Sequence, residues 1–262
     1  MRKNIITFAS SVLTAALALT SCSEDEYVIG YMSQPTALVT VRPTEGGSFF
    51  LQLDEATTLH PTNFTRSPYG DKEVRALVNY TDETRHGNRR YVHINWMDSI
   101  RTKMPADSRG EDNDSVYGND PVEIVRDWVT IAEDGYLTLR IRTLWGRPGQ
   151  THVVNLLTGT NPDNPYELEL RHDAMGDTCG TMGDALIAFD LNRLVNQASL
   201  SCVRVKLNWL SFSGRKSAEF SFRARPSDGT EGSEKPRGES DNRMGAETGN
   251  DEAAILNSFL IR

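Results

Sequence analysis

Apolar and polar residues alternate with a period of two along most of the chain, the spacing that turns one strand face to a core and the other to solvent. In a first block Ala37, Val39 and Val41 alternate with Leu38 and Thr40, and Phe49, Leu51 and Leu53 follow a turn at Glu45, Gly46 and Gly47. Val74, Ala76, Val78 and Tyr80 then alternate with Arg75, Leu77 and Asn79, and Val92, Ile94 and Trp96 continue beyond a turn at residues 85–88. About 70 residues of such strands form a compact, barrel-sized set, assigned to residues 31–105. Asp98 is expected to cap a short helical turn that Pro105 stops.

Residues 106–119 are polar and aperiodic and read as a linker. Their Glu111, Asp112, Asn113 and Asp114 lack the glycine and the terminal glutamate of a calcium loop, so no metal site is assigned. Alternation returns over residues 120–225. Leu137, Leu139 and Ile141 oppose Thr138, Arg140 and Arg142 after a hairpin turn at Asp134 and Gly135, and Val203, Val205, Leu207 and Trp209 oppose Arg204, Lys206 and Asn208. Residues 190–194 suggest a brief helical corner. Six or seven short strands over about 105 residues indicate an immunoglobulin-like antiparallel β-sandwich. The fold class is therefore all-β, a small barrel followed by a sandwich. Residues 226–262 are dominated by Gly, Ser, Glu, Asn and Pro and read as a disordered acidic tail, although residues 253–261 are apolar.

The N-terminus carries an address. Arg2 and Lys3 precede an apolar stretch at residues 5–19, which is shorter than the ~18–20 residues needed to span a bilayer and fits a signal peptide over residues 1–21. It ends in Leu19, Thr20, Ser21 and Cys22, which resembles a bacterial lipobox and implies lipidation of Cys22. Ser23, Glu24, Asp25 and Glu26 open a spacer at residues 22–30 and resemble the export signal of Bacteroidetes surface lipoproteins. The expected location is the outer membrane, lipid-anchored and facing outward.

The chain has 262 residues and a net charge of −8. Without the first 21 residues it carries 26 basic and 36 acidic groups, and the tail holds eight acids against four bases, so the body is only mildly acidic. The absence of a basic groove argues against a nucleic-acid partner.

Tyr117-Gly118-Asn119-Asp120-Pro121-Val122-Glu123-Ile124 and the run from Asn161-Pro162-Asp163-Asn164-Pro165 to Leu170-Arg171-His172 resemble the NigD-like lipoproteins of Bacteroidetes. Leu77-Val78-Asn79-Tyr80 and Asp98-Ser99-Ile100-Arg101-Thr102-Lys103-Met104-Pro105 fit the same family. The resemblance implies an N-terminal OB-like domain and a C-terminal β-sandwich. The family takes its name from a bacteriocin gene cluster and brings no defined activity.

Candidate chemistry is sparse. No serine elbow, phosphate loop or dinucleotide fingerprint occurs, and no cofactor is expected. Glu167 and Glu169 share a strand face without a facing acid. His172, with Arg171 and Asp173, is expected to hold a tight corner, and His93 to sit on a barrel strand. Cys179 and Cys202 could close a disulfide, although spacing alone fixes no distance. Tyr80, Tyr91 and Trp96 could form a stacking face on the barrel, with Arg75, Arg85, Arg89 and Arg90 supplying charge. Ser99 and Ser115 lie in short sequences that resemble the O-glycosylation acceptor of Bacteroidetes. Together these features point to a non-catalytic surface protein with a binding or protective role. It would be held to the membrane by its lipid, with a protein or glycan partner. A module serving a surface polysaccharide system and a passive component of a surface assembly are the alternatives.

Overall fold

A computed structural model of the chain describes residues 37–195, 202–222 and 225, together with the backbone of Ile255–Leu256. The leader, Cys22, Ser23, Glu24, Asp25 and Glu26, and the rest of the tail lie outside the described residues. Among the described residues no helix is long and apolar enough to cross a membrane.

The first block closes into a barrel. Strands β1 (Ala37–Pro43), β2 (Phe49–Gln52), β3 (Thr58–Pro61), β4 (Val74–His86) and β5 (Arg89–Ser99) pair in the order β1-β2-β3-β5-β4, and β4 returns to β1. Only the β3–β5 pair is parallel. The alternating positions fill the interior: Val39, Val41, Leu51, Leu59, Ala76, Val78 and Val92 are fully buried there. Each valine or leucine buried this way contributes roughly 1.5–3 kcal/mol. Register shifts between Asn79 and Tyr80 and between Asp82 and Thr84 let the long β4 bend around the barrel.

The second block forms two packed sheets. Its elements are β6 (Arg101–Lys103), β7 (Ala106–Asp107), a 3-10 turn (Gly110–Asp112), α1 (Asn113–Tyr117), β8 (Glu123–Ile124), β9 (Ile131–Glu133), β10 (Tyr136–Trp145), β11 (Val153–Thr158), β12 (Glu167–Asp173), β13 (Thr181–Asp190), α2 (Asn192–Val195), β14 (Val203–Ser211), β15 (Gly214–Phe222) and β16 (Ile255–Leu256). One sheet runs β16-β13-β10-β8, with β6 beside β13 and β9 beside β10; the other runs β15-β14-β12-β11-β7. The long neighbours β10–β13, β11–β12 and β14–β15 are antiparallel, whereas β14 meets β12 in parallel. Leu137, Leu139, Ile141, Leu168, Val205, Leu207 and Phe220 interdigitate in the core between the sheets. Asp134 and Gly135, at φ 49° and 82°, make the tight turn between β9 and β10.

Strand β1 and the first half of β4 are buried on both faces. Their second face carries Leu38 and Leu77, which join Ile100 against Val129, Ile131, Leu186 and Ala188 of the sandwich. Arg75 is also on that face and is fully buried, donating to Thr40, Thr138 and Glu133.

Two expectations are corrected. The helical turn expected after Asp98 is strand: β5 runs to Ser99, and β6 pairs in parallel with Ile187, Ala188 and Phe189. Burial of Ile100 in the interface and pairing to β13 outweigh the local capping signal. Residues 106–119 are not a free linker. β7 pairs with β11, and the buried Asn113 accepts the Arg109 N–H and donates to Ser108. Asp114 pairs with Arg171 of β12, so this stretch is fastened to the sandwich although most of its polar side chains remain exposed.

Candidate functional site: an aromatic stripe on the barrel

The side of the barrel formed by β2, β3 and β5 presents its outer face to solvent. On β2 the inward residues are Phe49 and Leu51, which leaves Phe50 outside; on β3 Leu59 is inward and His60 outside; on β5 Val92 is inward and Tyr91 outside. Pairing aligns these outer positions across strands, with His60 opposite Tyr91 and Tyr91 opposite Thr84. The rings form a row. Phe50 stacks near His60 at 6.1 Å, His60 lies 5.5 Å from Tyr91, and His86 meets Tyr91 edge-on at 5.8 Å. Arg42 stands over Phe50 at 5.9 Å. Burial and the charge of Arg89 lower the His60 pKa, so this ring stays neutral and stackable at neutral pH. Thr58 lies 3.0 Å from His60 Nε2 and fixes the ring's orientation.

The expected trio does not converge. Tyr80 packs against the barrel core with Arg90 over its ring at 5.4 Å, and Trp96 packs into the interface with the sandwich. Tyr91 alone belongs to the stripe. The register shift at Asn79 and Tyr80 and the bend of β4 separate the other two. Phe50 and His60 were not legible as members, because their alignment with Tyr91 depends on the parallel β3–β5 pair, and His86 joins from the end of β4 through the antiparallel β4–β5 pair. Of the expected cations, Arg75 is buried in the domain interface and Arg90 pairs with Asp82. Arg85 donates to the Gly87 carbonyl, and exposed Arg89 lies beside the row.

A second cluster lies inside the sandwich. His152 on the approach to β11 sits 2.9 Å from His172 Nε2 and stacks under Trp145 at 4.2 Å. A carbonyl can only accept, so His172 Nδ1 carries the proton shared with the Pro121 carbonyl at 3.2 Å, and its Nε2 accepts from His152. Burial, reinforced by His152, lowers the His172 pKa to about 4. Asp177 lies 3.4 Å from the far nitrogen of His152, and N–H donors from Gly146 and Arg147 hold its carboxyl below the usual range despite burial. With His152 at 0% and His172 at 1% exposure, this is a sealed spine joining β11, β12 and two loops. His172 therefore ties down the corner through Pro121 and His152. Arg171 instead reaches Asp114 and the Gly118 carbonyl.

The remaining expected residues are placed singly. Cys179 and Cys202, left open as a possible disulfide, are both free and exposed. Cys179 follows the end of β12, whereas Cys202 precedes β14, which runs parallel to β12 and starts at the opposite end. The length of β12, roughly 20 Å, lies between them, against the ~7 Å limit for a bridge. Glu167 binds Asn161, Asn208 and Lys206, which hold its pKa down at about 2, and Glu169 pairs with Arg171 and Arg215. His93 is exposed beside Glu83. Ser99 ends β5 half-buried, and Ser115 is exposed on α1, donating to the Asp112 carbonyl at 2.9 Å. Among the described residues no cluster of His, Cys, Asp and Glu is arranged to hold a metal.

A closed five-stranded barrel followed by a two-sheet sandwich defines a two-domain all-β class. Residues 38–100 match the NigD-like N-terminal OB domain, and residues 104–222 match the NigD-like C-terminal beta sandwich domain. A solved protein from Parabacteroides distasonis, provisionally described as toxin related, is 32% identical with a TM-score of 0.61, over 72% of this chain and 92% of that one. The chain belongs to the NigD-like family. A NigD-like immunity protein from Bacteroides caccae is 20% identical with a TM-score of 0.53, over 74% of this chain and 100% of that one. A protein from Bacteroides fragilis provisionally described as a lipoprotein is 13% identical with a TM-score of 0.50, over 71% and 96%. These last two share the fold alone. No curated protein matches the chain.

Proposed function

We propose that this chain is a lipid-anchored protein of the outer membrane, exposed at the cell surface, with a non-catalytic binding or protective role. The observation that carries this reading is Cys22, placed after a small residue at the end of a 15-residue apolar stretch and followed at once by Ser23, Glu24, Asp25 and Glu26. Acyl chains at ~0.8 kcal/mol per buried CH₂ would hold the body on the membrane almost permanently. The descriptions of relatives as toxin related, as an immunity protein and as a lipoprotein support a protective role at a membrane. The catalytic candidates favour binding over chemistry, since His152 and His172 are sealed and Glu167 and Glu169 are committed to ion pairs. Expression in a Bacteroidetes host tests the anchor. Wild type should sediment with membranes and Cys22→Ala should be released; equal partitioning would contradict lipidation. Added protease should cleave the protein on intact cells, and full protection there with cleavage after lysis would contradict surface exposure.

The aromatic stripe favours a second reading, a module that binds glycans. A row of ring faces with an arginine at its edge suits the apolar face of a sugar ring. Binding on a glycan array that is lost in Tyr91→Ala would support this reading. A blank array for the folded wild type would remove it.

A further inference from the structure

The outer face of β2, β3 and β5 carries a second row beside the rings. Gln52 lies opposite Thr58, and Thr58 lies opposite Arg89, which in turn lies opposite His86 of β4. Residues two apart on a strand share a face, so Gln52, Thr58 and Arg89 stand on the same side as Phe50, His60 and Tyr91. The rings thus border an amide, a hydroxyl and a guanidinium across three neighbouring strands. Arg89 is exposed, and among the described residues no carboxylate pairs with it. Its neighbours differ: Arg42 pairs with Asp134 and Arg90 with Asp82. The hairpin does not account for Arg89 either. Its cross-strand partner is His86 rather than an acid, and Arg85 opposes Arg90, where pairs of opposite charge would stabilise the strands. Burial and then the charge of Arg89 lower the His60 pKa, which sets the guanidinium beside the ring row.

Building on the glycan reading, we infer that this face takes an acidic saccharide, a chain whose sugars carry carboxylate or sulfate groups, and that Arg89 receives the charge. A sugar ring has one apolar face and a rim of hydroxyls. Phe50, His60 and Tyr91 offer the apolar contact, and Gln52 and Thr58 lie where the hydroxyls would reach. The Gln52 amide nitrogen donates to the Asp54 and Thr57 carbonyls, which leaves its own carbonyl oxygen as the acceptor. A planar guanidinium holds a carboxylate or sulfate through paired N–H donors, and such charge-assisted bonds are roughly twice as strong as neutral ones. A single unpaired cation among neutral polar groups suits charges spaced along a sugar chain. The phosphates of a nucleic acid or of a headgroup layer would call for a denser basic surface.

An array holding uronate, sulfated and neutral oligosaccharides, probed with the full chain as wild type and as Arg89→Gln, tests this. Wild type should retain acidic members at least about tenfold above neutral ones of the same backbone, and the margin should shrink in about 0.5 M salt. Arg89→Gln should lose the margin but keep the wild-type thermal unfolding curve, since the side chain is exposed. Equal retention of acidic and neutral members by wild type would overturn the inference while the glycan reading stands. An acidic preference that survives in Arg89→Gln would overturn the assignment to Arg89. A blank array for folded wild type would remove both readings, and Arg89-dependent binding to anionic phospholipid vesicles beside that blank would give the cation to a headgroup instead.

Discussion

Arg75 of the barrel and Glu133 of the sandwich are joined across the domain interface at 2.5 Å, with the arginine fully buried. The same guanidinium lies 5.9 Å from the ring of Tyr136, and Arg225 lies 5.8 Å from that ring while pairing with Glu73 and Asp134. Barrel and sandwich are therefore coupled by charge as well as by the apolar contact around Leu38 and Leu186. Arg75→Met leaves Glu133, Thr40 and Thr138 without this donor and should cost about 2–4 kcal/mol in denaturant unfolding. A loss under 0.5 kcal/mol would contradict a structural role for the pair.

Stability should fall between pH 6.5 and pH 4 through His172. Burial, with His152 beside it, lowers its folded pKa to about 4 from the ordinary histidine value of about 6.5. The unfolded chain therefore takes up the proton first as the pH falls. The contribution is in place above pH 6.5 and is lost as the pH drops towards 4, amounting to about 2–4 kcal/mol. Urea midpoints for wild type and His172→Gln should converge over this range. Parallel curves would contradict this assignment.

Gly118 sits at φ 77°, and a Cβ there would lie 2.5 Å from the Asp173 Cβ and 2.7 Å from the His172 carbonyl oxygen. Gly118→Ala forces β12 and the α1 exit apart and should destabilise by about 2–4 kcal/mol. Gly87, at φ 59°, has nothing within 4 Å, so Gly87→Ala should cost only about 1 kcal/mol. Thermal unfolding of the two variants should show that order.

Cys179 and Cys202 should both react with an alkylating reagent without prior reduction, read by intact mass. Replacing either by serine should change stability by less than about 0.5 kcal/mol, as expected at exposed sites. A mass two protons lower with no alkylation would restore the bridge.

Period-two patterning made the long strands legible, since β1, β4, β10 and β14 bury the residues that alternation marks. It could not reveal strands created by distant partners. β6 and β7 are two or three residues long and exist because β13 and β11 lie beside them. The polar composition of residues 106–119 suggested a linker because neither the burial of Asn113 with Ser108 and Arg109 nor the ion pair of the exposed Asp114 with Arg171 has a local signal. The stripe was legible only at Tyr91. His60 and Phe50 join it through a parallel pairing that no local signal encodes. The pairing of His152 with His172 likewise depends on the register of β11 with β12.

The central claim is the lipid anchor, and the mass of the N-terminal peptide of membrane-extracted protein tests it most directly. The account predicts a mature chain that begins at Cys22 and carries the added mass of acyl chains on that residue. A chain beginning elsewhere, or an unmodified Cys22, would contradict it.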